Sequence, residues 1–145
     1  QSDSAALHEL VAAMIATADI VKLSDEDLHW LEGDGDLTAL ARSILSRGPN
    51  VVFITEGATG AQAFTAIQAV FVSAVKVKVA DTVGAGDTFN AGVLAALHQA
   101  GALTKAGVAA ATGAQLRDAL SLGVRAAAVT CSRPGANPPW AHELS

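Results

Sequence analysis

An uninterrupted apolar run near the middle of the chain constrains the fold more than any other feature. Residues 50–55 read Asn-Val-Val-Phe-Ile-Thr, with no polar residue from Val51 to Ile54. A strand with one solvent-exposed face alternates apolar and polar residues, whereas a strand that is covered on both faces is apolar throughout. The run therefore predicts a buried strand in a sheet that carries helices on both faces.

Helical and extended patterns alternate around this strand. Apolar residues recur at helical spacing in some segments and every second residue in others. Helices are predicted at 4–17, 24–31, 37–46, 87–100 and 115–129, strands at 18–23, 50–55, 61–65, 69–72 and 75–79, and loop at 101–112. This order predicts an α/β fold, a single region over residues 1–145, with a largely parallel sheet flanked by helices on both faces.

The composition excludes several classes of protein. Apolar residues make up 51% of the 145 and charged residues 16%, which is typical of a compact fold and not of a disordered chain. The net charge is −5 and aromatic residues are 4%. The chain therefore lacks the excess of positive charge and the aromatic stacking surfaces that proteins use to bind nucleic acid. The lone Cys131 cannot form an internal disulfide. With no signal peptide or membrane span in the sequence, we expect a cytoplasmic protein without a membrane partner.

Residues 79–90 combine the end of a strand, two glycines, an acid and the start of a helix. Gly84 and Gly86 allow a ligand to approach the backbone closely. The first amides of a helix lack intrahelical acceptors and lie at the positive end of its dipole, so they bind phosphate readily. Asp87 could then accept a proton from an attacking hydroxyl. A helix start also favours acids for the dipole alone, so Gly-Xaa-Gly-Asp by itself does not predict catalysis.

The complete segment is more specific. Asp81–Asp87 reads Asp-Thr-Val-Gly-Ala-Gly-Asp, which matches the second signature of pfkB-type (ribokinase-like) carbohydrate kinases, and Thr88–Gly92 continues the match. Three further segments resemble that family in the same order: its strand ending in Asn-Xaa-Xaa-Glu, its Thr-Xaa-Gly-Xaa-Xaa-Gly loop and its tail motif, here 18–27, 51–61 and 133–136. The last residues, 137–144, are most similar to bacterial fructokinases.

This resemblance implies an ATP-dependent kinase that phosphorylates a sugar hydroxyl. Asp87 would be the general base, and the amides of Gly84, Ala85 and Gly86 would form the anion hole. The implied nucleotide contacts are Ser24, Thr55, Glu56, Gly57, Ala58, Thr59, Gly60 and Val124. Asp27 would hold Mg²⁺ through water, and a monovalent cation, usually K⁺, would bind the Asp81 carboxylate and the carbonyls of Val83, Thr130, Arg133 and Gly135. The implied partners are ATP and a small sugar, and the complete enzyme would be a homodimer.

Four positions depart from the family pattern. Ser24 and Asp27 replace the asparagine and glutamate of the metal motif, although both still offer oxygen. Pro139 stands where a serine usually gives the monovalent cation an oxygen, so K⁺ dependence stays open. Val124 replaces an asparagine near the adenine, which would leave apolar contact there.

Alternative interpretations differ in how well the residues support them. A dinucleotide-binding turn needs a third glycine where this chain has Phe89. No Gly-Lys-Ser/Thr motif of a Walker nucleotidase is present. A nucleotide-binding piece without turnover remains open because kinases of this family are longer, and the 145 residues contain neither their sugar-binding half nor their lid. The acceptor also remains open between fructose, ribose, 2-keto-3-deoxygluconate and a nucleoside.

Overall fold

The computed structural model describes residues 2–132. The predictions for Arg133, Gly135 and Pro139 therefore concern residues outside this range. The elements in chain order are α1 (Ser2–Thr17), β1 (Ile20–Ser24), α2 (Asp25–Glu32), α3 (Leu37–Leu45), β2 (Val51–Thr55), a 3₁₀ turn (Gly57–Thr59), β3 (Gly60–Phe64), β4 (Ala69–Ser73), α4 (Ala85–Gln99), α5 (Lys105–Ala109) and α6 (Gly113–Cys131). No helix in this part of the chain combines the length and the apolar character needed to cross a bilayer.

The described strands form one mixed sheet in the order β1-β2-β3-β4. β1 runs parallel to β2, with Ile20 opposite Val51 and Ser24 opposite Thr55. The β2–β3 and β3–β4 pairs are antiparallel. The α/β class is confirmed, but a largely parallel sheet was the wrong prediction for these strands. The connections explain the difference, because a short turn can join antiparallel neighbours only, whereas parallel neighbours need a crossover of a dozen or more residues.

β2 is buried on both faces, as its apolar run predicted. Val51 and Phe53 pack into a cluster with α4 and α6. Val52 and Ile54 pack into a second cluster with α1, α2 and α3. Each fully buried side chain of this size contributes roughly 1.5–3 kcal/mol of transfer free energy, so β2 anchors both halves of the core. Helices on both faces of the sheet are thereby confirmed.

Glycines allow α4 and α6 to approach closely. A Cβ atom at Gly92 would lie 2.9 Å from the Cα atom of Gly123, and one at Gly123 would lie 2.8 Å from the Phe89 ring. Real Cβ atoms do not tolerate such distances from backbone, so the two helices touch through backbone and ring atoms. This contact holds the middle of α4 against the middle of α6.

Two segments differ from the predicted structure. Residues 75–79 alternate as a strand should, yet they are irregular, because they pair with no strand among the described residues and Val75, Val77 and Val79 are exposed. The predicted loop 101–112 contains α5, whose first turn is capped by the Thr104 hydroxyl and which buries Val108. All other elements agree with the predicted ranges to within two residues.

Candidate active site

A cavity of ≈ 760 Å³ lies beyond the C-terminal ends of the parallel strands β1 and β2. Open α/β sheets bind ligands at this edge, and the volume is within the usual range for small-molecule sites. Several elements contribute to its walls: the strand ends (Ser24, Thr55), the 3₁₀ turn and the start of β3 (Gly57, Ala58, Gly60), residues 74–77, 79 and 82 of the irregular segment after β4, the start of α4 (Ala85, Gly86) and the C-terminal half of α6 (Val124, Ala127, Cys131).

The first turn of α4 carries free backbone amides. Gly84 is its N-cap with φ 82° and ψ −2°, a left-handed conformation that glycine adopts without strain. The Ala85 amide donates to the Thr82 carbonyl at 3.2 Å. The amides of Gly86 and Asp87 have no acceptor among residues 2–132. The free amides at this helix start are therefore those of Gly86 and Asp87, whereas Ala85, part of the predicted anion hole, is already engaged.

Asp87 occupies the third position of α4 and is exposed. Its carboxylate forms no hydrogen bond or ion pair with the residues that the structure describes. The preceding Gly86 lines the cavity, and the following Thr88 is buried, so the residue lies where the cavity wall meets solvent. A carboxylate without a protein partner at this place is available to a ligand hydroxyl.

A chain of buried hydroxyls holds the N-cap of α4. The Thr130 hydroxyl donates to the Thr88 hydroxyl at 2.9 Å, and the Thr88 hydroxyl donates to the Gly84 carbonyl at 2.7 Å. Thr130 is fully buried. The sequence predicted a role only for the carbonyl of Thr130, as a ligand of a monovalent cation. No local pattern could have predicted a hydrogen bond between residues 42 positions apart.

The segment before α4 is tied to the end of α6. The Cys131 carbonyl accepts hydrogen bonds from the amides of Ala80 and Asp81 at 2.8 and 3.1 Å. The Asp81 carboxylate accepts one from the Val83 amide at 3.0 Å. Asp81, Val83 and Thr130 are three of the five predicted cation ligands and belong to this small region. The other two, Arg133 and Gly135, lie outside the described residues.

The turn after β2 brings part of the predicted nucleotide loop to the cavity. Thr55, Gly57, Ala58 and Gly60 line it. Glu56 and Thr59 do not: the Glu56 carboxylate accepts from the Gln62 side chain at 2.8 Å, and the Thr59 amide donates to the Glu56 carbonyl at 3.1 Å. Gly60 has φ 139°, and a Cβ atom there would lie 2.2 Å from the Val72 carbonyl oxygen, so this corner requires glycine.

Acidic residues meet the cavity where β1 passes into α2. Ser24 lines the cavity and caps α2 by accepting from the Asp27 amide at 3.0 Å. Asp25 and Glu26 also line it, whereas Asp27, the predicted Mg²⁺ residue, is exposed and does not. Val124 lines the cavity with Ala127 and Ala128, so the predicted adenine position does present an apolar surface.

Sequence interpretation missed Lys22. Its Nζ atom lies 3.3 Å from the position that a Cβ atom would occupy at Gly86, and 6.0 Å from the centroid of the Phe89 ring. The available signal was its position as the one charged residue of β1, Ile-Val-Lys-Leu-Ser. A charge inside a mostly apolar strand indicates a partner or a ligand.

The sequence model of the pfkB family carbohydrate kinases matches residues 1–143. The chain belongs to this family. A relative of this pfkB-family chain, a fructokinase from Rhizobium leguminosarum bv. trifolii, is 48% identical over 108 residues, which are 74% of this chain and 33% of the relative.

Solved structures agree with this membership. Aminoimidazole riboside kinase from Salmonella enterica, complexed with aminoimidazole riboside and an ATP analogue, has a TM-score of 0.81 at 30% identity, over 95% of this chain and 44% of that one. Fructokinase from Vibrio cholerae O395, with fructose, ADP and calcium ion bound, has a TM-score of 0.75 at 31% identity, over 90% of this chain and 40% of that one. The ribokinase-like fold is confirmed, and the pfkB-family chain spans less than half the length of these proteins.

Proposed function

We propose that the protein containing these 145 residues transfers the terminal phosphoryl group of ATP to a hydroxyl of a fructose-like sugar. One observation carries the proposal: the free amides of Gly86 and Asp87 open a helix at the wall of a nucleotide-sized cavity, and the carboxylate beside them has no partner among the described residues. Phosphoryl transfer requires this combination of an anion cradle and an adjacent proton acceptor.

In the proposed reaction, Asp87 accepts the proton of the sugar hydroxyl while the hydroxyl oxygen bonds to phosphorus. The bond from phosphorus to the bridging oxygen breaks, and its electron pair leaves with ADP. The amides of Gly84 and Gly86, together with that of Asp87, stabilise the charge on the transferred group, because preorganised donors need no rearrangement. The Ala85 amide contributes less than the family pattern implied, since it already donates to Thr82.

The nucleotide would lie along the rest of the cavity. Thr55, Gly57, Ala58 and Gly60 would contact its phosphates, and Val124 would contact the adenine. Mg²⁺ prefers carboxylate oxygens and water, and the start of α2 supplies such oxygens at Asp25 and Glu26, with Asp27 one residue further on. The ion would neutralise phosphate charge. A monovalent cation at Asp81, Val83 and Thr130 would add positive potential behind the helix start.

The sugar-binding part is proposed to lie elsewhere in the protein. The chain spans 33% of the Rhizobium relative. Leu7, Leu10 and Met14, which share one side of α1, are 49, 58 and 62% exposed and offer an apolar row for another part of the protein to cover. By itself the 145-residue chain is therefore expected to bind ATP weakly and to select poorly among sugars.

A coupled assay of ADP formation tests the proposal with the complete protein. Fructose, ribose, adenosine, aminoimidazole riboside and 2-keto-3-deoxygluconate would be compared at equal concentration, with and without Mg²⁺ and K⁺. We expect Mg²⁺-dependent turnover that is fastest with fructose. If only an acceptor other than fructose is phosphorylated, the proposed kinase activity stands and the proposed fructose-like substrate is wrong. ADP formation from none of them, with ATP still bound, would favour a nucleotide-binding role without turnover.

A further inference from the structure

One part of the cavity wall consists of aliphatic side chains. They come from one face of α6, at helical spacing, and from every second residue of the irregular segment after β4: Val124, Ala127 and Ala128, and Val75, Val77 and Val79. The two groups are tied together at one end, because the amide of Ala80 donates to the carbonyl of Cys131 at 2.8 Å. We call these six side chains the apolar corner.

Polar groups of the cavity wall belong mainly to other elements. Ser24 and Thr55 line the cavity at the C-terminal ends of the parallel strands, and Asp25 and Glu26 follow at the start of α2. Gly86 adds an amide that has no acceptor among residues 2–132. A nucleotide has a charged end and a flat ring with two largely apolar faces. With its phosphates at the start of α4, we expect its ring to lie against the apolar corner, where it buries aliphatic surface.

The apolar corner can hold a flat ring but offers its edge almost no hydrogen bonds. Adenine presents an amino donor where guanine presents a carbonyl acceptor, and the side chains of valine and alanine can bind neither. Two polar side chains that line the cavity lie beside the corner in the sequence. The thiol of Cys131 is a weak donor, and the exposed Lys76 carries its ammonium on a flexible stem that keeps it hydrated.

This difference in chemistry sets the selectivity that such a site can reach. An apolar pocket distinguishes two ligands of the same size by only about 10²-fold, even when one of them carries an extra polar group. A site that forms hydrogen bonds with the ligand reaches about 10⁴–10⁵-fold, because its buried polar groups lose their partners with the wrong ligand. The apolar corner belongs to the first kind.

We propose that the nucleotide site of this protein selects poorly among purine bases, so that the triphosphates of adenosine, guanosine and inosine all serve as phosphoryl donors. The inference rests on the proposed kinase activity and names the class of its donor. The reaction itself is unchanged: the hydroxyl proton passes to Asp87, and the bridging electron pair leaves with the nucleoside diphosphate. Pyrimidine nucleotides should bind more weakly than purine nucleotides, because a smaller ring buries less aliphatic surface.

Equilibrium binding to the complete protein tests the inference without a sugar acceptor. Calorimetry would compare ADP, GDP and IDP, which differ in the base alone. We expect their dissociation constants to differ by less than about 10²-fold, the limit for an apolar pocket. A larger preference for one base would show that polar groups read its edge, and would overturn the inference.

Variants of the apolar corner test whether these residues set the selectivity. Val124→Asn introduces an amide that can pair with the amino group and N7 of adenine, so the preference for ADP over GDP should rise about tenfold or more. Val124→Leu keeps the corner aliphatic and is the matched control, with the ratio of the two affinities unchanged. If Val124→Asn does not fold, as judged by thermal melting, Val77→Asn replaces it at a residue that is 38% exposed. An unchanged ratio in the asparagine variant would show that the base lies elsewhere, which also overturns the inference.

Lys76→Met examines the charged side chain beside the corner. Because the ammonium is expected to stay in water, the ratio of the ADP and GDP affinities should be the same in this variant as in the unaltered protein. A ratio that shifts by about tenfold or more would show that the lysine reads the base, and the apolar corner would then not decide the selectivity.

Turnover separates this inference from the kinase proposal. ATP, GTP and ITP would be compared as donors with fructose in an assay of sugar phosphate formation, and their kcat/KM values should also lie within about 10²-fold of one another. A wider spread would overturn the inference for the donor. If no triphosphate supports turnover while the three diphosphates bind alike, the kinase proposal fails and the weak base selectivity stands. If none of the diphosphates binds, both are wrong.

Discussion

The hydroxyl of Thr130 donates a hydrogen bond of 2.9 Å to the hydroxyl of Thr88, and this bond joins the C-terminal end of α6 to the first turns of α4. Thr88 passes the interaction on to the Gly84 carbonyl at 2.7 Å. Thr130 is fully buried and Thr88 is 8% exposed, so water cannot replace either bond easily. The orientation of the helix start at the candidate site therefore depends on a residue 42 positions later in the chain.

Thr130→Val should lower the free energy of unfolding by about 1 kcal/mol, because valine keeps the shape of threonine but cannot donate to Thr88. Urea denaturation would measure the change. Thr130→Ser keeps the hydroxyl and loses a methyl group, so its kcat should stay near that of the unaltered protein while Thr130→Val shows the larger loss in kcat. A Thr130→Val protein with unchanged stability and unchanged kcat would show that the bond does not position α4.

Asp87→Asn should lower kcat by roughly 10²–10⁴-fold, because the amide has the size of the carboxylate but cannot accept the hydroxyl proton. The KM for ATP and the melting temperature should change little, since the carboxylate has no partner among the described residues. Asp118→Asn is the matched control, an exposed acid of α6 outside the cavity lining. Near-normal kcat in Asp87→Asn under steady-state assay would remove Asp87 from the role of general base.

Gly86 offers a graded test of phosphate approach. A Cβ atom there meets only the mobile end of Lys22, at 3.3 Å, so Gly86→Ala should fold normally. Gly86→Val adds bulk at the free amides and should abolish detectable ATP binding in calorimetry, with Gly86→Ala intermediate. If Gly86→Val bound ATP as tightly as the unaltered protein, the phosphates would have to lie away from the first turn of α4.

Gly92→Ala should destabilise the protein by about 1–3 kcal/mol, because the added methyl meets the backbone of Gly123 and the helices must separate. Gly86→Ala is the control, since the same chemical change there faces a movable side chain. Thermal and urea unfolding of the two variants would give the comparison. Equal stability of both would mean that the contact between α4 and α6 is looser than the structure has it.

Much of the fold followed from the sequence because it depends on neighbouring residues. The apolar run at 51–54 predicted a strand buried on both faces, and the patterns at 61–65 and 69–72 predicted the strands β3 and β4. The glycines before Asp87 predicted a helix start able to bind phosphate. The spacing of apolar residues, the helix caps and the residues that favour turns are local features, so adjacent residues encode them.

Packing between distant residues decided the rest. Residues 75–79 alternate like a strand, but the sheet gives them no partner among the described residues. The position of Lys22 against Gly86 and the bond from Thr130 to Thr88 exist because β1, α4 and α6 meet around the Phe89 side of the core. Likewise, Asp25 and Glu26 line the cavity and Asp27 does not, although all three lie in the first turn of α2. The sequence determined which residue types open the helix and carry the acid, whereas only tertiary structure determined which other side chains surround them, since burial and contact depend on all elements at once.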